Sequence, residues 1–207
     1  MAALIFWSAA ACAAEVGLVT ASSGGVRLQE DKSVATDLKP FTKLREGDRL
    51  TLSASSRLQV VFFDGGRQET WQGAGILEVG NAASKAVKGD LQAEVKTLPA
   101  ILVKQLSKTP SPDGSVKTGM IRMRSMPSGG TLESVEKNYA DLRQKSEVAD
   151  RTPELYLLAS YFELREFEKL DGLLKQLGEK SPKDPEVKLL AALYSRAVSN
   201  AQQAESK

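Results

Sequence analysis

The residues best placed to do chemistry are two carboxylates with a glycine beside each, Gly47-Asp48 and Asp64-Gly65, within the stretch LREGDRLTLSASSRLQVVFFDGGRQETW at residues 44–71. Two acids facing each other across a cleft, one with a raised pKa, are the minimum for a carboxylate-based hydrolase, so Asp48 and Asp64 are the pair to examine. The same residues also spell turns. Glycine supplies a positive φ cheaply, and an aspartate carboxylate accepts hydrogen bonds from neighbouring backbone amides. On that reading Gly47, Asp48, Asp64 and Gly65 are exposed structural turn residues, and replacing Gly65 costs folding rather than an activity.

The rest of the sequence narrows the chemistry. Histidine is absent, which removes Ser-His-Asp and Cys-His nucleophile pairs, the usual zinc and non-haem iron sites, and imidazole acid/base work. No Walker loop occurs, and no GxGxxG follows a strand. Six Phe, two Trp and four Tyr are spread thinly, which gives little of the aromatic platform a glycan cleft needs. The expectation is a non-enzymatic protein with no catalytic residue, cofactor or metal ligand.

Composition is that of an ordinary globular chain, with 42% hydrophobic and 26% charged residues. The net charge of +2 lacks the concentrated basic face of a nucleic-acid binder. The first fourteen residues, MAALIFWSAAACAA, carry no charge and end in small residues, with Cys12 and Ala14 at the −3 and −1 places of a secretory signal peptide. The run is too short to span a bilayer, which needs ~20 apolar residues. No basic segment precedes the apolar run, which leaves two readings open: a start upstream of Met1, or Met1 as an arbitrary choice of beginning. Cys12 is the only cysteine; the three alanines before it lack the bulky aliphatic residue of a lipid-attachment junction. Cleavage after Ala14 leaves a periplasmic chain without disulfide or thiol chemistry.

The elements that must position any site fall into three regions after residues 1–14. Residues 15–80 alternate apolar and polar in short runs broken by Gly, Asp and Ser turns, which predicts an antiparallel all-β unit. Within it, Leu58, Val60 and Phe62 alternate with Gln59 and Val61, and Asp64-Gly65 joins this run to Arg67–Trp71 as a hairpin. Residues 81–127 form a basic connector, with eight Lys or Arg against three acids. There Leu91, Val95, Leu98, Leu102 and Leu106 have helical spacing, with Pro99 kinking the helix or starting a second one. Residues 120–126, MIRMRSM, alternate like one more strand. Residues 128–207 read as antiparallel helices. Thr131 or Ser134 caps the first, Thr152-Pro153 starts the second, and Asp184-Pro185 opens the last. The fold class is therefore a segregated α+β chain.

Two resemblances follow from particular residues. Leu44-Arg45-Glu46-Gly47-Asp48-Arg49-Leu50, the small polar turn Ala54-Ser55-Ser56, the alternating strand at 58–63 and Asp64-Gly65 resemble, over roughly residues 16–80, the FecR-type domain of bacterial iron-dicitrate sensors. That resemblance implies a periplasmic, mostly β, non-catalytic module used in surface signalling or scaffolding. Sensors of that family carry an anti-sigma segment and a transmembrane helix ahead of this domain, and neither stands ahead of residue 16 here, so the expectation is a stand-alone exported protein. The C-terminal region is similar to tetratricopeptide helices. Leu157, Tyr161, Phe167 and Pro182 lie near the places where the 34-residue repeat has Leu, Tyr, Tyr or Phe, and Pro. Leu158 and Leu170 replace the small residues of the close helix contact. About one and a half repeats fit where three are needed, so these helices must pack on the β part, on the preceding helix, or on another protein.

The sequence thus points to a non-enzymatic binding, scaffold or signalling-accessory protein of a bacterial envelope, with a membrane-anchored signalling protein as the expected partner. Lys104, Lys108, Arg122, Arg124, Tyr161 and Tyr194 are the candidate partner contacts. Attachment to a cell-wall or anionic glycan is the alternative, and hydrolysis by Asp48 and Asp64 the third reading. Nucleic acid is not an expected partner.

Overall fold

The computed structural model describes residues 14–30, 33–113, 130–148 and 150–205. The signal-like segment with Cys12 and the strand expected at 120–126, with Arg122 and Arg124, lie outside the described residues.

Eight strands come first: β1 (Glu15–Ser23), β2 (Val26–Gln29), β3 (Thr36–Asp37), β4 (Lys43–Arg45), β5 (Arg49–Leu52), β6 (Arg57–Phe62), β7 (Arg67–Val79) and β8 (Ser84–Thr97). Five helices follow: α1 (Ala100–Leu106), α2 (Leu132–Lys145), α3 (Thr152–Leu164), α4 (Phe167–Lys180) and α5 (Pro185–Glu205). The chain is a segregated α+β fold built on one antiparallel sheet, ordered β3-β2-β5-β7-β6-β1-β4, with β8 on β7.

β7 organises the sheet. Gln68–Gln72 ladder with β6, and Gly75–Glu78 with β5, while β8 runs along all of β7 from Arg67 to Val79. One edge of β7 therefore carries two strands in succession and the other carries β8. Between the two laddered segments the ribbon folds at Gly73 (φ 102°) and Gly89 (φ 98°). A Cβ at Gly73 would lie 2.2 Å from the Asp90 carbonyl oxygen, and one at Gly89 2.2 Å from that of Ala74. Only glycine permits so close a backbone approach.

The fold gives the sheet two wings, β4-β1-β6 with the first half of β7 and β3-β2-β5 with its second half. Val19, Leu44, Val60, Phe62 and Trp71 from one wing meet Val26, Leu28, Leu50, Leu52 and Leu77 from the other in a closed apolar core. β5 shows the pattern of a wing with one wet face, since Leu50 and Leu52 are buried while Arg49 and Thr51 are exposed. β6 is different. Leu58, Val60 and Phe62 enter the inter-wing core, while Val61 on the opposite face joins Leu18, Phe41 and the helices in a second core.

α3 is the centre of that second core, buried along Thr152–Tyr161, and a helix apolar all round belongs inside a protein. α1, α2 and α4 pack against it, and α5 against α4. Polar bonds tie the helices to the sheet as well. Gln68 Nε2 donates to Thr152 Oγ1 at 3.3 Å, and Ser22 N–H to Glu186 Oε1 at 3.2 Å. Thr131 is the cap of α2, its hydroxyl accepting from Ser134 N–H.

The connector departs from its sequence reading. Residues 91–97 are strand, the helix begins only at Ala100, and the sheet extends to Thr97 rather than closing near 80. Leu91, Ala93 and Val95 alternate with Gln92, Glu94 and Lys96, so the i, i+4 spacing of Leu91 and Val95 also satisfies period two. Pairing along the whole of β7 decides between the two periods, and Pro99 marks the boundary.

Candidate functional site

Asp48 and Asp64 do not meet. The turn holding Asp48 lies against Val79, the last residue of β7, because Val79 N–H donates to the Asp48 carbonyl and Gly47 N–H to that of Val79, both at 2.8 Å. Asp64 sits in the turn before Arg67, at the other end of this 13-residue strand, and faces water. Asp48 is not exposed as expected from sequence; it is only 4% accessible, since its turn folds back on the strand end. Its Oδ2 accepts the Arg45 N–H at 2.8 Å, the local clamp that the turn reading called for. Burial raises its pKa, with the Arg45 amide pulling it back down and the Glu30 charge adding to the rise. Gly47 and Gly65 both take positive φ, 90° and 70°.

The buried acid that sequence reasoning missed is Glu69. It is fully enclosed, and its carboxylate accepts from Arg67 Nε at 2.6 Å, Trp71 Nε1 at 2.8 Å and Ser84 N–H at 3.1 Å. Ser84 opens β8 beyond the fold in the ribbon, so Glu69 staples one wing to the other. A signal was available. In the strand phase set by Trp71, residues 67, 69 and 71 share the inner face, which places an acid in the core between two donors. With every partner from its own chain, the group has a structural role.

The candidate partner contacts separate on inspection. Tyr194 is fully buried in the helical core beside Phe162 and is not a surface residue. Its hydroxyl lies by the Thr109 side chain without a well-formed hydrogen bond, and burial holds its pKa well above the ordinary range, with Thr109 pulling it back down. Tyr161 is also buried; its ring fills the core, and its hydroxyl donates to Glu136 Oε1 at 3.1 Å, with Lys169 Nζ on the same oxygen at 2.6 Å. Burial first, and then the Glu136 carboxylate, push that hydroxyl up to about 12. Both tyrosines read as contacts from sequence because an aromatic in a helical stripe has the same pattern whether its stripe faces a partner or the core. Lys108 is engaged with Glu163 at 2.7 Å. Lys104 is exposed on α1.

Lys104 stands on the rim of a groove of about 390 Å³ between α1 and the β6–β7 turn, walled by Phe63, Gly65, Gly66, Leu98 and Val103. Gly66 accepts the Leu98 N–H through its carbonyl at 2.8 Å, which fixes the hairpin tip against the start of α1. The groove therefore combines an apolar wall with one cation. A second hollow of about 450 Å³ lies at the fold of the ribbon, lined by polar groups including Ser55, Arg57, Gln72, Asp90 and Gln92. Among the described residues no cluster of three His, Cys, Asp or Glu side chains can hold a metal ion, and no helix is long and apolar enough to cross a membrane. No family model, curated protein or solved structure matches the chain.

Proposed function

We propose that the chain is a non-enzymatic binding or scaffold protein of a bacterial envelope, exported to the periplasm, with a FecR-like β part and a tetratricopeptide-like helical part. The observation that carries this reading is the α1 groove. Its apolar wall suits a hydrophobic side chain of a protein partner, and Lys104 on its rim suits an acidic group beside that side chain. The residues behind the FecR resemblance support the reading by what they do. They form β4, β5, β6 and the turns between them, and Asp48 clamps a backbone amide. The partner that fits such a module is a membrane-anchored signalling protein with an extracytoplasmic domain, such as a sensor kinase or cyclase.

Lys104→Glu tests the placement. Lys104 is exposed and makes no core contact, so circular dichroism should not change, while cross-linked capture of an envelope protein should be lost. Undiminished capture removes the groove from the interface. The polar hollow at the ribbon fold favours a second reading, attachment to a cell-wall or anionic glycan, with Arg57, Gln72 and Gln92 as hydrogen-bond donors. On that reading the purified protein sediments with peptidoglycan or lipopolysaccharide with no protein partner, and Arg57→Ala weakens the sedimentation.

A further inference from the structure

β8 has 14 residues, ladders with β7 alone, and is exposed along nearly its whole length. No other strand among the described residues pairs with its outer edge, which leaves a row of amides and carbonyls facing outward. The strand is also two-sided. Leu91, Ala93 and Val95 lie opposite Gly73, Trp71 and Glu69, on the side of the inter-wing core. Leu91 packs on that core, whereas Val95 remains 41% exposed. Gln92, Glu94 and Lys96 lie opposite Gln72, Thr70 and Gln68, on the side of the helices.

We infer that the outer edge of β8 pairs with β8 of a second copy of the chain, antiparallel about a two-fold axis at Ala93. A two-fold perpendicular to a sheet keeps each face on its own side, and opposed residues in an antiparallel pair share a face, so one residue must sit on the axis. Most positions fail. With the axis at Lys88, Asp90 or Glu94 a charge meets its own copy, and with the axis at Gln92 Asp90 meets Glu94. Axes at Gly89 or Leu91 draw in Val87, the extra residue of a bulge where Ile76 pairs with Lys88 but Leu77 with Ala86. Bulges interrupt pairing. An axis at Val95 runs the ladder into Pro99.

The axis at Ala93 uses only the regular ladder of residues 90–96. It sets Leu91 against Val95 of the second copy, twice, extending both inter-wing cores across the axis, and Asp90 against Lys96 of the second copy, twice, on the helix side. Lys96 already has Glu94 at 3.0 Å and Glu147 at 3.3 Å, so Asp90 of the second copy completes an acidic surround. The shared ladder is short, below the ~1,200 Å² of a standard stable interface, which makes the dimer reversible with a dissociation constant of roughly micromolar order. This surface does not use the α1 groove and is independent of the partner proposed for it.

Sedimentation velocity of the full chain across the micromolar range reads the association directly, and the expected result is a concentration-dependent monomer–dimer shift. Ala93→Lys sets two cations against each other on the axis and should weaken the dimer by roughly tenfold or more. Asp90→Lys should weaken it through Lys96 of the second copy. Both positions are exposed in the monomer, and circular dichroism confirms folding. The axis itself is read by single cysteines in a Cys12→Ser background. Ala93→Cys should form an intermolecular disulfide under mild oxidation, and Leu91→Cys should form it far more slowly. A chain monomeric throughout, a dimer indifferent to both lysine substitutions, or Leu91→Cys cross-linking as fast as Ala93→Cys would each overturn the inference.

Discussion

If Glu69 staples the folded ribbon, its removal must cost more than any surface acid, and the cost must be shared with Trp71. Glu69→Ala strands the buried Trp71 Nε1 and the half-buried Ser84 N–H, which have bonds of 2.8 and 3.1 Å in the native protein. Each orphaned donor costs about 1–3 kcal/mol, and breaking a buried charged network by removing one partner costs about 3–5 kcal/mol. The Arg67 ion pair adds little, because Arg67 is 42% exposed and water screens it. The expected loss is therefore about 3–5 kcal/mol, or roughly 10 °C in melting temperature for a chain of this size. Trp71→Phe removes one donor but leaves the carboxylate its other partners, at a cost of about 1–2 kcal/mol. The double variant should lose less than the sum, by about 1.5 kcal/mol, because no indole N–H is then left unpaired. Urea unfolding followed by far-ultraviolet circular dichroism gives all three values. A loss below about 1 kcal/mol for Glu69→Ala, or strict additivity in the cycle, would refute the staple.

Three further outcomes follow from other positions. Asp48→Asn keeps an acceptor for the Arg45 amide and removes a buried charge. Because burial raises the Asp48 pKa above the ordinary 3.8, ionised Asp48 opposes folding at neutral pH. The variant should match or exceed the parent there, and its advantage should fade as pH falls through the raised value toward 3.8; a pH series of unfolding free energies checks it. Gly65→Ala and Gly66→Ala form a matched pair. Both need positive φ, but an added Cβ meets open space at Gly65 and lies 2.6 Å from the Leu98 carbonyl oxygen at Gly66. The first should cost about 1 kcal/mol and the second about 2–4 kcal/mol in chemical denaturation. Tyr194→Phe deletes a buried hydroxyl that makes no well-formed hydrogen bond, Thr109 being its polar neighbour, and should leave the protein equally stable or up to about 1 kcal/mol more stable by thermal melting.

Most strands up to Val79 were legible because one or both of their faces are buried, and period two then shows in the residues themselves; the two-residue β3, exposed at both positions, left no such pattern. The Leu58–Phe62 run and the Asp64-Gly65 hairpin are clear cases. β8 was not legible as a strand, since nothing along it is buried enough to force an alternation, and its pairing with β7 is a long-range fact. The run expected at 67–71 continues to Val79 as one strand, with Gly73 serving as a fold within it. For the helices, stripes were visible, but a stripe does not say what it faces. Tyr161 and Tyr194 show the consequence, both turned inward where a partner surface was expected. Glu69 escaped notice because acids are counted as outward-facing by default; only the phase of Trp71 places it inside.

The β4-β1-β6 wing is clad on both sides, by the other wing and by the helices, and so has no spare face. Leu18, Phe41 and Val61 would each turn to water if the chain were cut after Leu98. At ~25 cal/mol per Å² of apolar surface, that exposure is enough to matter for a small β fragment. The strands alone, without the helices, should therefore be less stable than they are within the whole chain. The two halves should unfold together in one transition, which calorimetry checks, and Gln68 of β7, bonded to Thr152 at the start of α3, ties the sheet to the central helix.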